Sequence, residues 1–214
     1  VWTTLAGAAP IVIAHRGASG ERPEHTLASY ALAIEEGADF IEPDLVSTKD
    51  HILVARHENE ISGTTNVADH PEFAARRTTK TIDGQSITGW FTEDFTLAEL
   101  KTLRARERLP KLRPGNTAYD GQFEIPTFAE IIALAQAAPR QVGLYPETKH
   151  PSYFAAIGLP LEPPLLATLT KAGYSKRSDP IFIQSFEAGN LKALRKVTDI
   201  ALIQLIESGM SPDG

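Results

Sequence analysis

The sequence predicts an α/β fold built on a parallel β-sheet, and two observations favour it. Short apolar runs alternate with amphipathic stretches along the 214 residues, which is the pattern of repeated β/α units. Polar side chains also lie at or near the carboxyl ends of several apolar runs, where parallel β/α folds bind their ligands. The length suffices for one good core, so we expect a single domain over residues 1–214.

The composition excludes several functional classes. The chain is 42% hydrophobic and 22% charged, which is ordinary for a globular protein. A net charge of -6 without a basic stripe argues against nucleic acid as a partner, although a small phosphate ligand needs only one or two local cations. No apolar run approaches the roughly 18 residues of a membrane span, so none is expected. There is no cysteine and hence no disulfide. The oligomeric state is not indicated.

Five apolar runs are predicted to be strands of the parallel sheet. They are 10–17, 39–48, 142–150, 180–186 and 200–207. A sixth run, 51–58, follows a Lys49-Asp50 turn and is expected to pair back onto the second strand.

The segments between these strands carry helix signals. Thr26 is a predicted N-cap and Gly37 a C-terminal stop for a helix over 26–37. Capping boxes predict two further helix starts, because a threonine precedes a glutamate by three residues in each. They lie at 96–99 and 127–130, and helices are also predicted over 162–173 and 188–197.

Two segments fit less regular structure. Residues 61–90 are polar and have a turn signal at Asp83-Gly84. We therefore expect them to form a surface insertion near the mouth of the ligand-binding site, and not a second domain. The basic stretch 101–113 is predicted to be a solvated helix face followed by a loop, or alternatively to steer an anion.

Side chains suited to chemistry lie along the predicted strands. The first strand ends at His15-Arg16. On the second, Glu42 and Asp44 are two residues apart and project from the same face. On the third, Glu147 has the same spacing from a lysine. Two acids on one strand and one on the next form an oxygen-ligand set suited to Mg²⁺ or Ca²⁺.

Each of these residues also has a purely structural interpretation. An acid pair at this spacing is often a solvated strand face. Ile41 and Leu45 flank the pair, however, and buried acids must be paired or bound to metal. Lys149 could be a surface cation or a salt-bridge partner of a neighbouring acid, and Phe186 could belong to the core.

The motifs resemble those of the glycerophosphodiester phosphodiesterases, especially their longer bacterial, often exported members. They are "HRGASGERPEHT" (15–26), "EPDLVSTKDHILVARHE" (42–58), "YPETKHPSY" (145–153) and "QSF" (184–186). The order and spacing match over nearly the whole chain, and the 61–90 excursion is similar to an insertion in those members. The resemblance implies a (β/α)₈ TIM barrel with an insertion after strand 2. It also implies a periplasmic or secreted location, with a cytoplasmic location as the alternative.

The resemblance also implies a site and a reaction. It assigns each role to residues that match the family motif. These are His15 and His57 as catalytic residues, Glu42, Asp44 and Glu147 as ligands of one divalent cation (Ca²⁺ or Mg²⁺), and Arg16, Lys149 and Phe186 as substrate contacts. The implied partner is a small glycerophosphodiester, hydrolysed to sn-glycerol 3-phosphate and an alcohol.

Two departures from the family pattern qualify this expectation. His25 stands where the family usually has asparagine, so Glu24 and His25 are expected only to support the groups that contact substrate. A barrel needs eight strands and this chain supplies about five before Gly214, so we expect it to be part of a longer protein.

Alternative functions remain open on the sequence. One is a related phospholipase D-like enzyme acting on lysophospholipids or sphingomyelin, and the other is a non-catalytic phosphodiester-binding protein. For hydrolysis, no serine, cysteine or threonine is evidently activated as a nucleophile. We therefore expect the glycerol hydroxyl to attack phosphorus and form a cyclic intermediate.

Overall fold

The computed structural model describes residues 3–208. Its strands are, in chain order, β1 (Ile13–His15), β2 (Phe40–Glu42), β3 (Asp44–Ser47), β4 (Leu53–Ala55), β5 (Thr78–Ile82), β6 (Gln85–Gly89), β7 (Gly143–Leu144), β8 (Glu147–Thr148), β9 (Phe182–Ser185) and β10 (Ala201–Gln204). Its α-helices are α1 (Leu27–Glu35), α2 (Leu97–Leu100), α3 (Phe128–Gln136), α4 (Pro151–Ala156), α5 (Glu162–Lys171) and α6 (Ala188–Leu194).

The predicted parallel sheet is present, but two of its strands are interrupted. The run 39–48 divides into β2 and β3 at Pro43, and the run 142–150 divides into β7 and β8 at Tyr145-Pro146. Proline has no N–H to donate to a strand ladder. The two runs nevertheless stay side by side, since Tyr145 N donates to Ile41 O and Glu147 N donates to Pro43 O, both over 2.9 Å.

The five parallel runs lie in the order in which they occur in the chain. β1 pairs with β2, β2 with β7, β3 with β8, β8 with β9 and β9 with β10, all parallel. β4 pairs antiparallel with β3, which confirms the predicted return of the chain after the Lys49-Asp50 turn. Within residues 3–208, β1 and β10 each have a single neighbour, so the sheet is not closed into a barrel there.

The helix starts follow the capping signals. Thr26 Oγ1 accepts from Ser29 N at the start of α1. Thr96 with Glu99 and Thr127 with Glu130 both form complete capping boxes, at α2 and α3. Such a cap contributes about 1 kcal/mol by satisfying amides that the helix itself leaves unpaired. Among the described residues, no helix has the length and apolar character needed to cross a bilayer.

One apolar core supports the sheet. It joins strand residues such as Ile41, Leu45 and Ile183 to helix residues such as Ile131 and Leu165, all fully buried. This packing holds the strands that carry the predicted site residues.

The 61–90 segment is more ordered than its polarity suggested. It contains the β5–β6 hairpin, whose turn at Asp83-Gly84 has positive φ at both residues, 49° and 76°. This is the geometry expected of an Asp-Gly hairpin turn. The segment also contributes to the main hydrophobic core, through Ile61, Val67, Phe73 and Trp90.

The prediction of a helix face in the stretch 101–113 was wrong. Helix α2 ends at Leu100, and the chain continues as an irregular loop. Its backbone amides bond to distant carbonyls instead of continuing a helix: Ala105 N donates to Phe123 O over 2.8 Å and Arg106 N to Thr64 O over 2.9 Å. Tertiary hydrogen bonds outweigh helix propensity here.

Candidate active site

The predicted site residues are brought together by the register of the sheet. His15, the last residue of β1, lies opposite Glu42. Asp44 lies opposite Glu147, which in turn lies opposite Gln184. Because carboxyl ends of parallel strands share one edge, neighbouring strands deliver polar side chains to one place.

The three predicted cation ligands form a compact buried cluster. One carboxylate oxygen from each of Glu42, Asp44 and Glu147 lies within 4.8 Å of the other two. Ligands about 2.3–2.6 Å from one Ca²⁺ ion can be roughly 5 Å apart, so one such cation can reach all three. Among the described residues, Oδ1 of Asp44 is the buried side-chain atom that has no hydrogen-bond partner. A buried carboxylate oxygen without a partner is costly, and a bound cation removes that cost.

The charges of this cluster are unequal. Burial and the proximity of Asp44 raise the pKa of Glu42 well above its usual range, and they raise the pKa of Glu147 to about 8. Burial acts against ionisation of Asp44, but the contacts with His25 and the charge of Lys149 together outweigh it and hold the pKa of Asp44 well below its usual range. Three acids sharing one buried space favour partial protonation, unless a cation balances their charge.

His25 contacts the cluster through Asp44. Its Nε2 lies 2.9 Å from Asp44 Oδ2, and its Nδ1 lies 2.7 Å from the Tyr30 hydroxyl. The ring is fully buried, and burial lowers the pKa of His25. A neutral ring that donates from Nε2 and accepts at Nδ1 satisfies both contacts. His25 thus orients Asp44.

Arg16 is held in a backbone conformation that few side-chain-bearing residues adopt. Its φ is 63°, and its amide donates to Glu42 Oε2 over 2.9 Å. Its guanidinium lies 3.3 Å from Glu24 Oε2 and 3.6 Å from Asp44 Oδ2. The strained backbone therefore places a cation at the rim of the acidic cluster.

His15 stands beside that cation. Arg16 Nε lies 3.3 Å from His15 Nε2. Desolvation and the Arg16 charge lower the pKa of His15, so the neutral ring predominates near pH 7. Desolvation is the larger of these two causes.

The second predicted histidine lies next to Lys149. His57 Nε2 is 3.3 Å from Lys149 Nζ, which is also 2.9 Å from Glu147 Oε1. Lys149 Nζ lies 5.5 Å from the centre of the Phe186 ring, a cation–π contact. Lys149 thus joins the acidic cluster to His57, and Phe186 packs beside it.

Three residues of this region were not assigned roles from the sequence. Gln184 donates to Glu42 Oε1 over 2.9 Å. Arg56 is completely buried and donates to the carbonyls of Glu24 and His25, each over 3.0 Å. An arginine that directly follows the apolar residues of β4 and precedes His57 was the available signal for it. Arg108 carries no comparable signal, because its partners are remote in the chain.

Comparison with known proteins identifies the family to which this chain belongs. The pattern that defines the glycerophosphoryl diester phosphodiesterase family matches residues 15–212. The chain belongs to this family.

Curated members of the family align over most of the chain. Glycerophosphodiester phosphodiesterase GDPD6 of Arabidopsis thaliana is 45% identical over 210 residues, covering 92% of this chain and 56% of the relative. A glycerophosphodiester phosphodiesterase of Haemophilus influenzae is 34% identical over 215 residues, again covering 92% and 56%. The chain therefore spans about half the length of these relatives. A plant protein among the matches means that they are not restricted to bacterial family members.

Solved structures agree on the fold. An Oleispira antarctica phosphodiesterase, in complex with the product sn-glycerol-3-phosphate, has a TM-score of 0.66 at 26% identity, over 94% of this chain and 68% of that one. A glycerophosphodiester phosphodiesterase of Agrobacterium tumefaciens has a TM-score of 0.61 at 21% identity, over 88% and 62%. The glycerophosphoryl diester phosphodiesterase family fold, an α/β arrangement of the TIM-barrel type, is therefore the fold of this chain.

Proposed function

We propose that the protein hydrolyses glycerophosphodiesters to sn-glycerol 3-phosphate and an alcohol, with a divalent cation. The observation that carries this proposal is the buried cluster of Glu42, Asp44 and Glu147. The two cations that contact this cluster, Arg16 and Lys149, each lie 3.3 Å from a histidine ring nitrogen. Membership of the phosphodiesterase family and the likeness to a product-bound phosphodiesterase support the substrate class.

In this proposal Glu42, Asp44 and Glu147 hold one Ca²⁺ or Mg²⁺ ion. The bound cation supplies charge neutralisation for the phosphodiester and polarises its oxygens. The buried Asp44 Oδ1, which has no partner among the described residues, supports this assignment.

Arg16 and Lys149 bind the phosphate oxygens that the acids would otherwise repel. A guanidinium can contact two phosphate oxygens at once, and an ammonium acts as a point charge. Phe186 lies against Lys149 and is the third proposed substrate contact. Between them the two cations orient the diester in front of the histidines.

His15 and His57 transfer the protons. One neutral ring removes a proton from the attacking hydroxyl, and the other, protonated, donates to the departing alkoxide. The lowered pKa of His15 makes it suited to the base role. The histidines exchange these roles in the second half of the reaction.

The attacking group in the first half is the glycerol hydroxyl next to the phosphorylated carbon. Its oxygen forms a bond to phosphorus as the bond to the alcohol breaks, which yields a cyclic glycerol phosphate. Water then opens the ring. Such an intramolecular attack gains several kcal/mol from proximity.

We also propose that the fold in the complete protein is a closed (β/α)₈ barrel, of which this chain carries about five strands. Two observations support this: within residues 3–208, β1 and β10 each have only one neighbouring strand, and the chain covers 56% of each of the two curated relatives. The 61–90 segment would then be an insertion beside the barrel, since its apolar residues join the main core.

The test is release of glycerol 3-phosphate from glycerophosphocholine by the full chain, with and without EDTA. We expect release that stops on chelation and returns with added Ca²⁺ or Mg²⁺. Asp44→Asn should abolish it, while Asp39→Asn, on the same strand run but outside the cluster, should not. Release that is indifferent to EDTA would overturn the cation role, and no release from any glycerophosphodiester would overturn the function.

A further inference from the structure

Arg108 lies in the loop that follows α2 and contacts two carboxylates from different parts of the chain. Its Nε and Nη2 donate to Glu24 Oε1 over 2.9 and 2.7 Å. Its Nη1 and Nη2 donate to the two oxygens of Glu58 over 2.9 and 2.6 Å. One guanidinium thus bridges the loop after β1 and the loop after β4.

Each of these carboxylates also contacts a residue of the proposed site. The other oxygen of Glu24, Oε2, lies 3.3 Å from Arg16 Nη1. Glu58 Oε1 lies 2.5 Å from His57 Nδ1. A single carboxylate therefore links Arg108 to Arg16, the proposed phosphate-binding arginine. Another single carboxylate links it to His57, a proposed proton carrier.

The ionisation of the carboxylates fits this arrangement. Burial opposes their charge, but hydrogen bonding from Arg108 helps to lower the pKa of Glu24 to about 2. For Glu58, burial likewise acts to raise the pKa, but hydrogen bonds from His57 and Arg108 help to lower it. An ionised carboxylate only accepts hydrogen bonds, so Glu58 requires the proton of a neutral His57 ring to lie on Nδ1. Nε2, which lies 3.3 Å from Lys149 Nζ, is then the basic nitrogen that faces the site.

The loop itself is fixed by hydrogen bonds on either side of Arg108. Glu107 N donates to Asp120 Oδ1 over 2.7 Å, and Leu109 N donates to Glu107 Oε1 over 2.8 Å. The guanidinium is therefore held in position before a substrate arrives, as an orienting group must be.

We propose that Arg108 is a positioning residue: through Glu58 it sets which nitrogen of His57 faces the substrate, and through Glu24 it steadies Arg16. This inference rests on the proposed function. Groups that orient a residue in this way typically contribute about 10–100-fold to activity or affinity. The bidentate contact to Glu58 requires a planar fork, which lysine lacks.

The test uses four variants of the full chain: Glu58→Gln, Arg108→Gln, Arg108→Lys and, as a matched control, Arg106→Gln. Arg106 lies on the same loop and pairs with the exposed Asp69. The first readout is the ring ¹⁵N spectrum of neutral His57, which distinguishes Nδ1–H from Nε2–H and does not depend on activity. The second is kcat and KM for glycerophosphocholine.

We expect wild type and Arg106→Gln to show the Nδ1–H ring form, and the other three variants to shift toward Nε2–H. Glu58→Gln should lower kcat by about 10–100-fold with little change in KM, and the Arg108 variants should also raise KM. Arg108→Lys retains the charge and provides a folded comparison where Arg108→Gln does not fold.

An unchanged ring form of His57 in the Glu58 and Arg108 variants would overturn the positioning role. So would a kcat of Glu58→Gln equal to that of the Arg106 control. If wild type hydrolyses no glycerophosphodiester, the proposed function fails separately, and the ring spectra still decide whether Arg108 orients His57.

Discussion

His25 Nε2 and Asp44 Oδ2 lie 2.9 Å apart, and both residues are completely buried. This contact holds Oδ2 of one carboxylate in the proposed cation site, while Oδ1 of the same carboxylate has no hydrogen-bond partner among the described residues. We expect His25→Ala to weaken Ca²⁺ or Mg²⁺ binding by about 10–100-fold, because Asp44 then loses its orienting donor. Isothermal titration calorimetry measures this cation affinity. The control is His51→Ala, because His51 is an exposed histidine that, like His25, has a positive φ. Equal affinity in the two variants would contradict the role of His25.

The three buried carboxylates predict stabilisation by a cation. At a cation concentration of 100 times Kd, binding to the folded state alone adds about 2.7 kcal/mol to the free energy of unfolding. We expect a divalent cation to raise the Tm of wild type and not that of Glu147→Gln. Glu35→Gln, on the exposed end of α1, should respond as wild type does. A Tm of wild type that stays constant across a cation titration would argue against the site.

The proposed proton carriers make a kinetic prediction. His15→Ala and His57→Ala should each lower kcat by roughly 10²–10⁴-fold, because each removes a positioned acid or base. Neither should greatly change the free energy of unfolding, since both rings are at least partly exposed. His51→Ala serves as the control. Near wild-type turnover in either variant would assign that histidine a structural role.

Gly17 follows Arg16 at a φ of 84°, and a Cβ there would lie 2.8 Å from the Ser29 carbonyl carbon. Gly17→Ala should lower the free energy of unfolding by about 1–3 kcal/mol from backbone strain alone. A Cβ at Gly20, in the same loop, would meet no atom within 4 Å beyond its chain neighbours, so Gly20→Ala should change stability by less than about 0.5 kcal/mol. Urea denaturation measures both. Equal effects would mean that the turn after Arg16 is not strained.

The cyclic intermediate predicts a substrate requirement. A diester whose attacking glycerol hydroxyl is replaced by hydrogen should bind and scarcely react, since the intramolecular nucleophile is missing. Competition against glycerophosphocholine measures binding, and alcohol release measures turnover. Normal turnover of the deoxy diester would instead indicate direct attack by water.

Local signals accounted for much of the fold. Thr96, Thr127 and Thr26 each begin a helix as predicted, because a cap is satisfied within three or four residues. The breaks at Pro43 and Pro146 were not predicted, although proline is the obvious cause. The loop 101–113 was assigned wrongly because its amides bond to partners far along the chain, such as Thr64.

The candidate site, like the fold, was predicted only in part from the sequence. The juxtaposition of Glu42, Asp44 and Glu147 was predicted, because strand periodicity and parallel order are enough to bring them together. Arg108 could not have been found, since its partners lie 84 and 50 residues away and no local pattern records them. The role of Arg56 depends equally on carbonyls 32 and 31 residues distant. The roles proposed for the site residues themselves stay predictions until they are measured.

The register that sets Asp44 against Glu147 has a consequence for synthesis of the chain. The two residues are 103 positions apart, from 44 to 147. At about 5–20 residues per second, the ribosome adds Glu147 roughly 5–20 s after Asp44. The antiparallel neighbour of β3, strand β4, is available almost at once. The opposite edge of the β2–β3 run, with Glu42 and Asp44, has to wait for β7 and β8. Because charged side chains on an open edge disfavour pairing with other strands, we expect Glu42 and Asp44 to limit mispairing of the β2–β3 run until β7 and β8 are made.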